Sequence, residues 1–71
     1  MRSKERLIEV LKSCNPAIAS GWHLSQVGFR MAAGSDIECV DVCKMIIRLE
    51  PSSHYQELAR EALHYLGETR K

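Results

Sequence analysis

Two of the three cysteines, Cys39 and Cys43, lie four residues apart in the stretch IECVDVCKMII. Such a pair can ligate a metal, exchange a disulfide, or pack as two small apolar residues on one side of a helix. At about 100° per residue, the apolar residues from Cys39 to Leu49 cover roughly half of the helix circumference, and the cysteines lie near the middle of this arc. Free cysteine in such surroundings behaves as a small hydrophobic residue. We therefore expect both thiols in the core.

A metal site is the more specific alternative to core packing. Structural zinc needs about four ligands, usually from paired short knuckles. The available side chains, Cys14, His23, Cys39 and Cys43, come from three predicted helices, and the chain has no Cys-x-x-Cys. The sequence therefore predicts no metal and no cofactor, with zinc binding and thiol redox chemistry kept as minor alternatives.

The histidines and glycines give no pattern typical of an enzyme. His54 and His64 fall on the polar side of the last predicted helix. Acidic and basic residues alternate along this side, as is typical of a solvated face: Glu57, Arg60, Glu61 and Glu68. No serine or cysteine has a histidine at a spacing that indicates a nucleophile and its base. The glycines are single, so no phosphate-binding loop is predicted. We expect no catalytic residues.

Length and composition limit the function classes. The 71 residues are 45% hydrophobic and 27% charged, with a formal net charge of +1. One small domain spanning residues 1–71 is expected, with a core that is marginal alone. A charge this close to zero disfavours a dedicated nucleic-acid binder. No signal peptide or membrane-spanning segment is expected, and an odd number of cysteines favours reduced thiols and a cytoplasmic location.

Turn signals divide the chain into four predicted helices and no strand. The first runs from Lys4 to about Ser13 and stops at Asn15-Pro16. The second runs from about Trp22 to Ala33, with Gly34 as its C-terminal cap. The third opens with Ser35 and Glu38 as a capping box and ends at Leu49 or Glu50, before Pro51. The fourth opens with a second capping box, Ser53 and Gln56, and stops at Gly67. The fold class is all-α, built from antiparallel helical hairpins.

Pro16 and Pro51 lie thirty-five residues apart, and this offset also aligns Leu11 with Ile46 and Met31 with Leu66. A pair of helices recurring at this period is typical of stacked helical repeats. Residues 22–66 resemble the tetratricopeptide repeat: Leu24-x2-Val27-Gly28-x2-Met31 has the spacing of that family's first helix. Cys39, Cys43, Ile46 and Pro51 are spaced as in its second. The resemblance implies protein binding on a helical surface without catalysis; the alternative is an unrelated four-helix bundle.

The leading functional prediction is a small protein-interaction module, such as an adaptor, inhibitor or co-chaperone. The partner is expected to be another protein or a second copy of the chain. Phe29 lies off the apolar stripe of the second helix, so it is either exposed or buried elsewhere; Trp22 presents the same choice. Methionine adapts to a partner's shape. The predicted partner-binding residues are Trp22, Phe29, Met31 and Met45.

The alternative function is a helix-turn-helix DNA-binding regulator. Residues 23–46 have the form of two helices joined at Gly34. Asp36, Glu38 and Asp41 would place negative charge against phosphates at the start of the recognition helix, whereas Lys44 and Arg48 partly offset it. Nucleic acid is therefore the disfavoured partner.

Overall fold

The computed structural model describes residues 2–34 and 39–69. Four helices lie in these ranges, and no strand does: α1 Lys4–Lys12, α2 Ala19–Ala33, α3 Cys39–Leu49 and α4 Ser53–Thr69. The all-α prediction is confirmed. The predicted capping box of Ser35 and Glu38 lies outside the described residues.

The first two helices are joined by a short turn. Ser3 caps α1, because its Oγ accepts a hydrogen bond from the Arg6 N–H at 3.2 Å. In the turn, Asn15 Oδ1 accepts from the Ala17 N–H at 3.0 Å. α2 then starts at Ala19, three residues earlier than predicted, and the Trp22 N–H already donates to the Ile18 carbonyl oxygen at 2.8 Å. Gly34 ends α2 with φ 83°, as predicted.

The fourth helix differs from the prediction at both ends. Its first turn is capped by Ser52, whose Oγ accepts from the Tyr55 N–H at 3.5 Å, and not by Ser53. Gln56 reaches back to the carbonyl of Glu50. At the other end the helix passes through Gly67, because one exposed glycine costs only about 1 kcal/mol and Leu66 is buried in the same turn.

Two antiparallel hairpins, α1/α2 and α3/α4, hold most of the interhelical contacts. Weaker contacts join α2 to α3, α2 to α4 and α1 to α4, which gives a helical bundle. The core contains Leu7, Leu11, Cys14, Leu24, Val27, Met31, Cys39, Cys43, Ile46, Leu58, Ala59, Ala62 and Leu66. The tetratricopeptide resemblance stays a prediction.

Glycine sets the spacing of the first hairpin. A Cβ on Gly28 would lie 2.8 Å from Leu11 Cβ and 2.9 Å from the Lys12 backbone nitrogen. One on Gly21 would lie 2.0 Å from the Asn15 carbonyl oxygen. Backbone can approach this closely only where side chains are missing, so Gly28 lets α2 pack onto α1 and Gly21 lets it pack onto the turn that follows α1.

Candidate functional site

The cysteines lie where the core prediction placed them, which confirms that prediction. Cys39 and Cys43 are 1% and 0% exposed. Burial, with a smaller contribution from Cys39, raises the pKa of the Cys43 thiol to about 12. Burial also raises the pKa of Cys14, whose Sγ donates to the Val10 carbonyl oxygen at 3.5 Å. Thiolate formation is disfavoured at these sites, so they are poor nucleophiles near neutral pH.

The described part of the chain contains no group of three His, Cys, Asp or Glu side chains placed to hold a metal ion. His54 and His64 are exposed on α4, as expected. His23 is half-buried on α2, and its ring meets Trp22 edge to face with centroids 5.1 Å apart. Each histidine therefore lies against an aromatic neighbour or in solvent.

Three large apolar side chains lie along the outer side of α2 and are only half covered. Ile18, the residue before the helix, and Trp22 are each 48% exposed, and Phe29 is 52% exposed. The Lys12 Nζ lies 5.7 Å from the centre of the Phe29 ring, which holds a positive charge beside it. Trp22 and Phe29 thus present apolar surface and do not complete the core. We call Ile18, Trp22 and Phe29 the α2 stripe.

A shallow groove runs between α2 and α3 beside this stripe. At one end, Trp22, Val27 and Val42 line an apolar depression of about 220 Å³, with Arg30 also among its lining residues. At the other, Met45 and Leu49 line a second depression of about 190 Å³, and His23 contributes to both. The groove reflects the weak packing of α2 on α3.

The predicted partner-binding residues fall in different places. Trp22 and Phe29 belong to the α2 stripe, and Met45 is half-buried in the groove. Met31 is 6% exposed and lies in the core, so it offers no surface in this structure. Two contributors were not found from the sequence: Ile18 and Leu49, which is 67% exposed. The spacing of Ile18 four residues before Trp22 was the available signal.

One residue of α4 was misread from the sequence. Glu61 was expected on a solvated helix face, but it is 4% exposed. Its carboxylate accepts from the Arg2 guanidinium at 2.6 Å and from the Arg2 N–H at 3.2 Å. The Tyr65 hydroxyl donates to the Arg2 carbonyl oxygen. The sequence could not show that the segment before α1 folds over α4 and covers this carboxylate.

The outer face of α3 carries mixed charge. Asp41, Lys44 and Arg48 are all exposed there. Two bases and one acid on this face leave a weak positive excess, well short of the basic patch that a nucleic-acid interface usually shows.

Comparison with known proteins gives no match to any family model, to any curated protein sequence or to any solved structure. No helix in the described ranges is long and apolar enough to cross a lipid bilayer. The class is therefore defined by the fold alone: an all-α bundle of two helical hairpins.

Proposed function

We propose that this chain is a small protein-interaction module that binds a partner chain through the α2 stripe and the adjoining α2/α3 groove. The observation that carries the proposal is the placement of three half-exposed large apolar residues on one side of one helix, next to an open apolar groove. Single exposed apolar residues are ordinary on a protein surface, but an aligned group beside a groove is typical of an interface.

The α2 stripe offers enough apolar area to matter energetically. A half-exposed aromatic ring leaves about 100 Å² to be covered, which corresponds to roughly 2.5 kcal/mol at about 25 cal/mol per Å². Tryptophan is among the residue types enriched at interface hot spots. Trp22 and Phe29 are therefore the expected anchors, with Ile18, Met45 and Leu49 extending the covered area.

The shape of the surface favours a helical partner. The groove is bordered by two helices, and its lining is mainly apolar with Arg30 and His23 adding polar groups. An amphipathic helix can place its apolar face in such a groove. Roles as adaptor, inhibitor or co-chaperone all rest on this single binding step. The resemblance to tetratricopeptide repeats supports it, and the buried free cysteines are compatible with the reducing cytoplasm that the proposal includes.

The test is quantitative capture from the native host with matched bait variants. Trp22→Ala and Phe29→Ala should each lose the captured partner, because they remove anchor area without opening the core. The control baits are Glu57→Ala and His64→Ala, which change the positions thirty-five residues further along, exposed on α4. The partner is then purified, and its affinity for all five proteins is measured by calorimetry.

The proposal predicts that each α2-stripe variant binds the partner about tenfold or more weakly than the wild type does. Each control should bind with unchanged affinity. Equal binding by all five proteins would show that the partner uses another surface. Circular dichroism of each variant confirms that helix content is unchanged.

The DNA-binding alternative is favoured by one observation only, the exposure of Lys44 and Arg48 one turn apart on α3. Asp41 lies one turn before Lys44 on the same exposed face and opposes phosphate binding. We rank it below protein binding for this reason.

A further inference from the structure

The chain connects the two hairpins on one side of the bundle. It runs from α2 into α3, so these two helices stay tethered to each other. On this side the Ser20 hydroxyl also donates to Glu50 Oε1 at 2.6 Å, which ties the start of α2 to the residue after α3. On the other side α1 meets α4, and the chain does not pass directly between them. The α1/α4 side is therefore the one on which the hairpins can come apart.

Arg2 bridges the α1/α4 side with three polar groups. Its guanidinium donates to Glu61 Oε2 at 2.6 Å, and its N–H donates to Glu61 Oε1 at 3.2 Å. Its carbonyl oxygen accepts from the Tyr65 hydroxyl. Glu61 and Tyr65 are four residues apart, so they lie one above the other on the same face of α4. One helical turn of α4 thus holds the side chain and both main-chain polar groups of a single residue.

Arg2 is in turn fixed to α1. Ser3, which follows it, is extended at φ −63° and ψ 160°, and its carbonyl oxygen accepts from the Leu7 N–H at 2.9 Å. This bond and the side-chain cap make residues 2–3 a continuation of α1, and we call these two residues the strap. Because the strap is joined to α1 in this way, α1 cannot move away from α4 without breaking the contacts of Arg2.

We propose that the strap holds the bundle closed and that its release lets the two hairpins swing apart on the α1/α4 side as folded units. The packing inside each hairpin is more extensive than the packing between them, so the hairpins are the units of such a movement. α2 and α3 stay together because the chain and the hydrogen bond from Ser20 to Glu50 both join them. The inference concerns a movement within the chain and does not depend on the proposed function.

The burial of Glu61 gives the strap its effect. This residue is 4% exposed, so a closed bundle without the Arg2 side chain would enclose a carboxylate that has lost its cation. A buried charge without its partner strongly destabilises the state that encloses it. Opening returns the carboxylate to water but uncovers apolar core surface between α1 and α4. With the strap in place both effects oppose opening; without it they oppose each other, and the open form becomes populated.

The distance between α1 and α4 tests the proposal. Nitroxide labels on Glu5→Cys and Glu57→Cys, both at exposed positions, report this distance by double electron–electron resonance. A second pair, Glu5→Cys and Ala32→Cys, reports the α1/α2 distance inside the first hairpin. The native cysteines are buried, and mass spectrometry checks that only the two introduced thiols carry labels.

Removal of the Arg2 side chain should open the bundle. In Arg2→Ala a longer α1/α4 distance should appear, with a population about tenfold or more above that in the wild type. The α1/α2 distance and the helix content should stay unchanged, because each hairpin moves as a unit. Arg6→Ala is the matched control, since it removes the same charge from an exposed position in the first turn of α1. It should leave both distances as they are in the wild type.

The conservative variant Arg2→Lys keeps a cation for Glu61 and should remain closed, which a general loss of stability would not explain. An Arg2→Ala chain that keeps the wild-type α1/α4 distance overturns the proposal. Lengthening of both label pairs together overturns it as well, because the first hairpin would then loosen with the bundle. If Arg2→Ala does not fold, Tyr65→Phe removes one strap hydrogen bond, keeps the ring, and decides between the same outcomes.

Discussion

The two hairpins share an offset of thirty-five residues but are held together in different ways. In both, the equivalent positions Leu11 and Ile46 are buried, as are Met31 and Leu66. In α1/α2, however, the missing side chain of Gly28 lets the backbone of α2 approach the backbone of α1 at Lys12. The equivalent position in α3/α4 is Leu63, which packs against the core as a side chain. Thus the same apolar pattern can support either close glycine contact or ordinary side-chain packing.

The outer faces of the hairpins differ more than their cores do. The α2 stripe corresponds, thirty-five residues later, to Ser53, Glu57 and His64, which are exposed polar residues on α4. Exposure costs these polar groups little, whereas Trp22 and Phe29 leave apolar surface exposed. The difference teaches that the core pattern alone does not locate exposed apolar surface, since the outer positions decide which hairpin carries it.

The largest effect should come from charge placed in the second hairpin's core. Cys43→Asp buries a carboxylate with no basic partner and should lower the free energy of unfolding by roughly 3–5 kcal/mol. The equivalent position in the first hairpin is Ile8, which is only half-buried, so Ile8→Asp should cost clearly less. Urea denaturation of both variants measures the difference. Equal losses would show that the two positions are equally enclosed.

Helix placement was predictable because its signals are local. The cap at Gly34 and the stop before Pro51 depend on a few neighbouring residues. The apolar arc of α3 likewise placed Cys39 and Cys43 in the core. Gly67 was misread because a turn signal in the sequence does not show whether packing of Leu66 outweighs it.

The candidate site was only partly predictable because exposure depends on which helices meet. Trp22 and Phe29 could be named as unpaired aromatics, but whether they completed the core depended on how α2 sits against α1. Met31 was placed on the surface by its residue type, although it lies in the core. The burial of Glu61 depends on Arg2, which is fifty-nine residues away in sequence.

The next largest effect should separate the two packing modes. Gly28→Ala adds a Cβ that would lie 2.8 Å from Leu11 Cβ and 2.9 Å from the Lys12 nitrogen, so α1 and α2 must move apart. We expect a loss of about 1–3 kcal/mol, as for other overpacked sites. Thermal and urea unfolding monitored by circular dichroism measure it.

The matched control for Gly28→Ala is Gly67→Ala in α4. A Cβ there meets nothing within 4 Å, and the residue is helical. Alanine should therefore raise stability by about 0.5–1 kcal/mol, through better helix propensity. A loss of stability in Gly28→Ala and a gain in Gly67→Ala would show that the two hairpins pack differently. An unchanged stability in Gly28→Ala would show that the first hairpin does not depend on close contact between α1 and α2.

Stability should also fall at alkaline pH, and this loss should originate in the second hairpin. In the unfolded chain the Cys43 thiol has its ordinary pKa near 9, but in the folded chain burial raises the pKa to about 12. Between these values the unfolded chain releases a proton that the native chain keeps, so the native state binds more protons and stability falls as pH rises. The slope should approach about 1.4 kcal/mol per pH unit.

Cys43→Ala removes this contribution while the other titrating groups stay. Comparing urea midpoints of the two proteins from about pH 8 to about pH 10 isolates the difference in slope. Equal slopes in the two proteins would mean that the Cys43 thiol is far less enclosed in solution than the close packing of α3 on α4 implies.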